Sequence, residues 1–211
     1  MRKWFPVIPI GGAFLFSALV YSRLPDRVAT HWGINGQPNG YSGRLGGAFL
    51  LPCIMLLVWA MMRGLPYIDP RRANYAKFQG TYDLMVHAVI TMMALVHLLV
   101  LGRALGWPMP DPMHSAPVVV GVMTIILGNV MPRARPNWWF GIRTPWTLSS
   151  DTVWTRTHRM GGYLFTAAGI VALFAALLPA SAAFVVLMIA VCGASLGAVV
   201  YSYFVWKQEQ P

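Results

Sequence analysis

The densest chemistry in this 211-residue chain lies in residues 129–162, NVMPRARPNWWFGIRTPWTLSSDTVWTRTHRMGG, with five arginines, no lysine and four tryptophans (Trp138, Trp139, Trp146, Trp154). A guanidinium offers a planar fork that grips carboxylate or phosphate bidentately and stacks on aromatic rings. Arg133, Arg135, Arg143, Arg156 and Arg159 therefore suit recognition of an anion or a partner, with Asn137 and Thr144 as further candidates. The same composition also serves an ordinary membrane interface, where tryptophan sits at headgroup depth and arginine meets anionic lipid headgroups. That reading leaves the prolines unexplained. Pro132, Pro136 and Pro145, with Gly141 between them, impose a non-helical path, after which Ser149 or Ser150 can cap a helix opening at Asp151. An acid in that first turn suits the helix dipole. On a helical wheel Asp151, Trp154, Thr155 and His158 share one face, with Thr152, Arg156 and Arg159 as a neighbouring basic ridge. The segment predicts an interfacial helix feeding the next span at Gly161-Gly162, with Arg143, Trp146, Arg156, His158 and Arg159 on one connected surface.

A second cluster lies in the loop 23–44, which holds Asp26, His31 and Trp32 and the turn signals Asn35-Gly36 and Asn39-Gly40. Residues 28–32 can be extended, so a short hairpin-like cap is expected. Asp26 and His31 are two potential metal ligands five apart with no third in the loop, and His114 is the only obvious recruit. Turn-forming and capping roles are favoured over a metal, and no cofactor is expected. Within the apolar stretches, Asp83 and His87 stand one turn apart and can pair with each other, or Asp83 with an arginine of the 129–162 segment. A structural pair is favoured over a proton relay. His97 reads as interfacial, Asn129 as an interhelical hydrogen-bonding group, and Gly193-x-x-x-Gly197 as a close helix contact.

These residues must be positioned by a membrane bundle. Hydrophobic side chains make up 57% of the chain and charged ones 10%, which excludes a soluble globule, and the net charge of +10 lacks the exposed polar surface that direct nucleic-acid binding needs. Cys53 and Cys192 both fall inside apolar runs and carry no information on redox compartment. Six stretches are long enough to cross a bilayer: 4–22, 45–62, 81–101, 115–131, 161–178 and 181–206. The last two, separated around Pro179, form a helical hairpin. The expected fold class is all-α, a polytopic membrane protein with six transmembrane helices and a cytoplasmic interfacial helix before the fifth. It forms a single integral membrane domain over 1–211, comprising an N-terminal helix pair (1–62), the signature loop (129–162) and the hairpin (161–206). Twelve Lys and Arg, among them Arg2 and Lys3, fall on one side of this arrangement and four (Arg23, Arg27, Arg44, Arg103) on the other. That asymmetry places both termini in the cytoplasm and the 23–44 loop outside. The first span lacks a clean signal-peptide cleavage site and is expected to be retained.

The stretch N-x-M-P-R-x-R-P-N-x-W-x-G-I-R-T-P-W-T-L-S-x-D-x-V-W-x-R-T-H-R-x-G-G resembles the signature of the SdpI family of bacterial membrane proteins. The loop L-P-D-R-V-A-T-H-W-x-x-x-G-x-x-N-G-Y resembles a domain of unknown function that often stands at that family's N-terminus, where an acid commonly replaces Asn39. The resemblance implies a multi-pass immunity protein of the cytoplasmic (inner) membrane. Such a protein protects its producer from a secreted toxin peptide and, when toxin is bound, holds a winged-helix autorepressor at the membrane. No H-E-x-x-H, G-x-S-x-G or phosphate-loop motif occurs, so a non-enzymatic binding role is expected. The alternative is a transporter or lipid-handling enzyme that uses the arginine loop on a phosphate headgroup, with Asp151, His158 or the Asp83 and His87 pair in proton chemistry. The sequence carries no signal for oligomeric state.

Overall fold

The computed structural model describes residues 4–210; Arg2 and Lys3, counted in the charge asymmetry, lie outside them. Six long helices follow the apolar pattern: α1 (Val7–Val20), α2 (Arg44–Ile68), α3 (Tyr75–Ala104), α4 (Pro112–Val130), α6 (Asp151–Ala175) and α7 (Ala180–Gln208), with a short α5 (Pro145–Ser149) before α6. Four segments are long and apolar enough to cross a membrane: Arg44–Ile68, Arg72–Ala104, Pro112–Arg133 and Ala180–Gln208. Of the others, Val7–Arg23 is apolar but shorter, and α6 begins with three polar turns before its apolar half. The chain is thus an all-helical membrane bundle, apart from one two-stranded hairpin, β1 (Arg27–Trp32) and β2 (Pro38–Gly43). The interfacial helix expected before the fifth span is not a separate element. Ser150 caps α6 by accepting from the Val153 N–H, and the helix runs unbroken through Gly161-Gly162.

The helices pack in two groups of three. Ile10, Ala13, Met55 and Ile90 form the buried seam of α1, α2 and α3. On the other side α4, α6 and α7 associate, with α4 and α6 nearly touching through glycine. A Cβ on Gly169 would stand 2.6 Å from the Gly121 carbonyl oxygen, and one on Gly128 2.8 Å from that of Gly162. Gly121 and Gly169, Gly128 and Gly162 therefore face each other in antiparallel register, the small-residue contact expected where no hydrophobic effect drives helices together. The Gly193 and Gly197 pair does not play this part: nothing lies within 4 Å of a Cβ on Gly193, and Gly197 meets only Leu164 at 3.4 Å.

At one end the hairpin caps the first three helices. Val28 is fully buried with Val20, Leu24, Ala48 and Leu101. The reversal falls at Asn35-Gly36, where Gly36 has φ +77°. Asn39-Gly40, expected as a second turn, instead lies within β2, and Gly40 stands opposite His31, whose Cβ would be 2.8 Å from a Cβ at that position. His97 is buried rather than interfacial, its Nε2 2.8 Å from the Ser17 hydroxyl, which donates to the Ala48 carbonyl at 2.6 Å. Asp83 finds a partner other than those expected: it accepts from Gln79 Nε2 at 2.9 Å and pairs with Arg63 of α2 at 3.6 Å. His87 sets its ring against Phe5, 5.0 Å between centroids.

Candidate functional site

The opposite end gathers the α2–α3 connection, the 131–150 loop and the end of α7. The two groups of helices are joined here by a buried apolar cluster, the aromatic rings of Tyr75, Phe78, Tyr82 and Trp154 with Val86 and Ala134. Pro132 closes α4 and Pro136 keeps the chain extended, so the backbone between them and Pro145 has no ladder of its own and needs side-chain partners.

Asn137 supplies many of them. Its Nδ2 donates to the Arg135 and Phe140 carbonyls at 2.8 and 3.0 Å, and its Oδ1 accepts from the Trp139 and Phe140 N–H groups at 2.9 and 2.6 Å. One fully buried amide thereby uses its complete set of donors and acceptors to hold a turn. Asp69 fixes this turn to the rest of the protein. It is 3% exposed, and accepts from the backbone N–H of Arg71 (2.7 Å), the Tyr75 hydroxyl (2.9 Å) and the backbone N–H of Trp138 (2.9 Å). Asn74 adds a bond to the Pro136 carbonyl (2.8 Å), and Arg71 reaches both Asp151 (2.8 Å) and the Leu148 carbonyl (3.0 Å).

The far half of the loop rests on α6 and α7. Thr144 and Thr147 form a capping box at α5, and the Thr144 hydroxyl lies 3.1 Å from Ser202. Trp146 packs edge-on against Tyr203 at 5.2 Å. His158, which precedes the fifth membrane stretch, is fully buried under Trp154, with ring centroids 4.0 Å apart. Its Nδ1 bonds the Trp154 carbonyl at 2.8 Å and its Nε2 accepts from the Ile142 N–H at 3.0 Å, an arrangement that needs the neutral ring. Burial lowers its pKa to about 4. Gly141 sits at φ +110° directly over that ring, where a Cβ would collide with Nε2.

The expected single surface of Arg143, Trp146, Arg156, His158 and Arg159 is therefore divided. His158 is internal, as are Asn137, Thr144 and Trp154, the last donating its indole N–H to the Ala134 carbonyl at 2.9 Å. Arg143 holds the Trp138 carbonyl at 2.7 Å and Arg156 reaches Gln208 at 3.4 Å, whereas Arg159 turns toward α4. Arg133, Arg135, Trp138 and Trp139 stand exposed on the loop. Asn129 is exposed on α4 rather than bonded between helices. In the hairpin Asp26 pairs with Arg44 at 2.7 Å and His31 with Asn39 at 2.5 Å, so these two candidates serve separate partners, and Trp32 lines a cavity of about 250 Å³ between α3 and α4. Sequence reasoning missed Asp69 and Tyr75. The available signal was an acid directly before a helix-ending proline, one of only six in a strongly basic chain.

Residues 133–202 match the SdpI/YfhL protein family, and residues 9–56 match a Domain of unknown function (DUF1648). The first match spans the loop and α5 to α7, and the second α1, the hairpin and half of α2. The chain is 25% identical over 159 residues to the Immunity protein SdpI of Bacillus subtilis (strain 168), covering 75% of this chain and 73% of that protein. No solved structure matches.

Proposed function

We propose, on the premise that this chain belongs to the SdpI family, that it is an inner-membrane immunity protein that works by binding. It meets a secreted toxin peptide at the hairpin-capped end, outside. It displays the signature loop in the cytoplasm, where both termini lie, for a partner such as a winged-helix autorepressor. The observation that carries this reading is the alignment with an immunity protein over three quarters of the chain. The geometry supports it. Asn137, Asp69, Thr144, Trp154 and His158 are occupied in holding the loop's shape, and the rigid loop carries Arg133, Arg135, Trp138 and Trp139 outward. Arginine and tryptophan exposed on a preorganised backbone are favoured anchors for a protein partner.

The two ends predict separable losses. The chain is expressed in a toxin-sensitive host with the peptide and the regulator encoded beside its gene, and survival and membrane capture of the tagged regulator are scored separately. Trp32→Ala and His31→Ala are expected to lower survival chiefly, and Arg135→Ala with Trp138→Ala to lower capture chiefly. A chain that neither protects against any such peptide nor captures the regulator, yet turns over or transports a lipid phosphate, would overturn the proposal in favour of the lipid-handling alternative.

A further inference from the structure

A cleft of about 490 Å³ runs between α4 and α6 at the signature-loop end, with Arg159, Asn129 and Tyr163 at its mouth and Thr166, Ala167 and Ile170 along its wall. Its mouth is polar and uncommitted. Among the described residues, the Arg159 side chain makes no hydrogen bond or ion pair, as holds also for Arg72, Arg133 and Arg135 on the same end, but of these four it is the one that lines the cleft, and the exposed Asn129 amide is likewise without a partner. A guanidinium and an amide left at the edge of hydrocarbon are costly unless something supplies acceptors. The wall below them is apolar. From Arg159 to Ile170 the helix rises about 16 Å, roughly one leaflet of a 30 Å hydrocarbon core.

We propose that this cleft is a binding site for an anionic phospholipid of the leaflet on the signature-loop side, with its phosphate on Arg159, Asn129 and Tyr163 and one acyl chain along Ala167 and Ile170. Phosphate oxygens satisfy the guanidinium fork, the amide N–H and the phenol together, and basic clefts between membrane helices are suited to such headgroups. A free phosphate would engage the mouth and leave the wall open, so the site selects for an amphiphile. The backbone contact of Gly128 with Gly162 closes the floor, which makes the cleft a preformed feature of the helix pair.

The test uses the full chain purified in detergent and incubated with phosphatidylglycerol or phosphatidylcholine of identical chains, with retained lipid counted by native mass spectrometry. Phosphatidylglycerol is expected to be retained roughly fivefold over phosphatidylcholine. Arg159→Gln should remove the preference. Arg72→Gln, a charge-matched change at an exposed site in the α2–α3 connection, should preserve it. Ile170→Trp should lower retention of phosphatidylglycerol by obstructing the chain, and inorganic phosphate should not displace the lipid. If Arg159→Gln fails to yield folded protein, Tyr163→Phe with Asn129→Leu probes the same mouth and should weaken the preference. An undiminished preference in the mouth variants, an equal loss in Arg72→Gln, or displacement by inorganic phosphate alone would overturn the proposal.

Discussion

Asp69 shows how much one side chain can hold in place when the surrounding backbone has no regular structure. Its carboxylate takes three donors, one in the α2–α3 connection, one at the start of α3 and one in the signature loop. Asp69→Ala leaves the Trp138 N–H without its acceptor and the Tyr75 hydroxyl with only its longer bond to Asn137 Oδ1 at 3.3 Å, at about 1–3 kcal/mol for the lost acceptor. The expected outcome is a lower unfolding temperature in detergent, and faster proteolysis between residues 133 and 145 while the hairpin stays protected. His158 adds a pH dependence of defined sign. Its folded pKa of about 4 lies below the ordinary 6.5, so the fold holds the neutral ring and the unfolded chain takes up the proton first. The contribution is complete above pH 6.5 and is lost as pH falls toward 4, worth up to roughly 3 kcal/mol across that window. Thermal unfolding measured at pH 7.5 and 4.5 should show the decline, and His158→Gln, though less stable, should flatten it.

At the scale of elements, the contact between α4 and α6 depends on residues that contribute no side chain. Gly169→Ala places a methyl group 2.6 Å from the Gly121 carbonyl oxygen, and Gly162→Ala places one 2.9 Å from that of Gly128. Each should destabilise by about 1–3 kcal/mol because two backbones must separate. Gly193→Ala meets open space on a helix and should stabilise by up to about 1 kcal/mol. Unfolding temperatures of the three variants in one detergent would check the order. If Gly193→Ala proved the damaging change, a second helix or chain would have to cover that face.

For the whole molecule, the two ends differ in kind, one closed by a hairpin and the other by a hydrogen-bonded loop, and the excess of basic residues belongs to the second. In a cysteine-free background, a single cysteine at Asn39 or Asp111 should be labelled by an impermeant reagent from outside intact cells, and one at Arg135 only after lysis. Arg135 is the better inner probe because it is exposed, whereas Asn137 is buried and bonded on both sides. Labelling at Arg135 from outside would reverse the orientation.

Local chemistry was enough for the helices, the break at Pro179, the Asn35-Gly36 reversal and the family resemblance. Apolar run length, proline, turn dipeptides and motif spacing all act within a few residues. Partner choice was not legible, because it depends on which distant segments the bundle brings together. Asp83 reads equally well beside His87 or beside an arginine of the loop, and only the packing of α2 against α3 selects Arg63. Gly193 and Gly197 carry the four-residue spacing of a close-contact pair and Gly162 and Gly169 do not, yet the contact forms at Gly162 and Gly169, where α4 lies. The Arg-rich segment looked uniform along the chain. The tertiary structure divided it into groups that hold the loop, such as Arg143 on the Trp138 carbonyl, and groups left exposed, such as Arg133 and Arg135. Burial makes that division, since a buried polar group must find its partner within the protein and an exposed one need not.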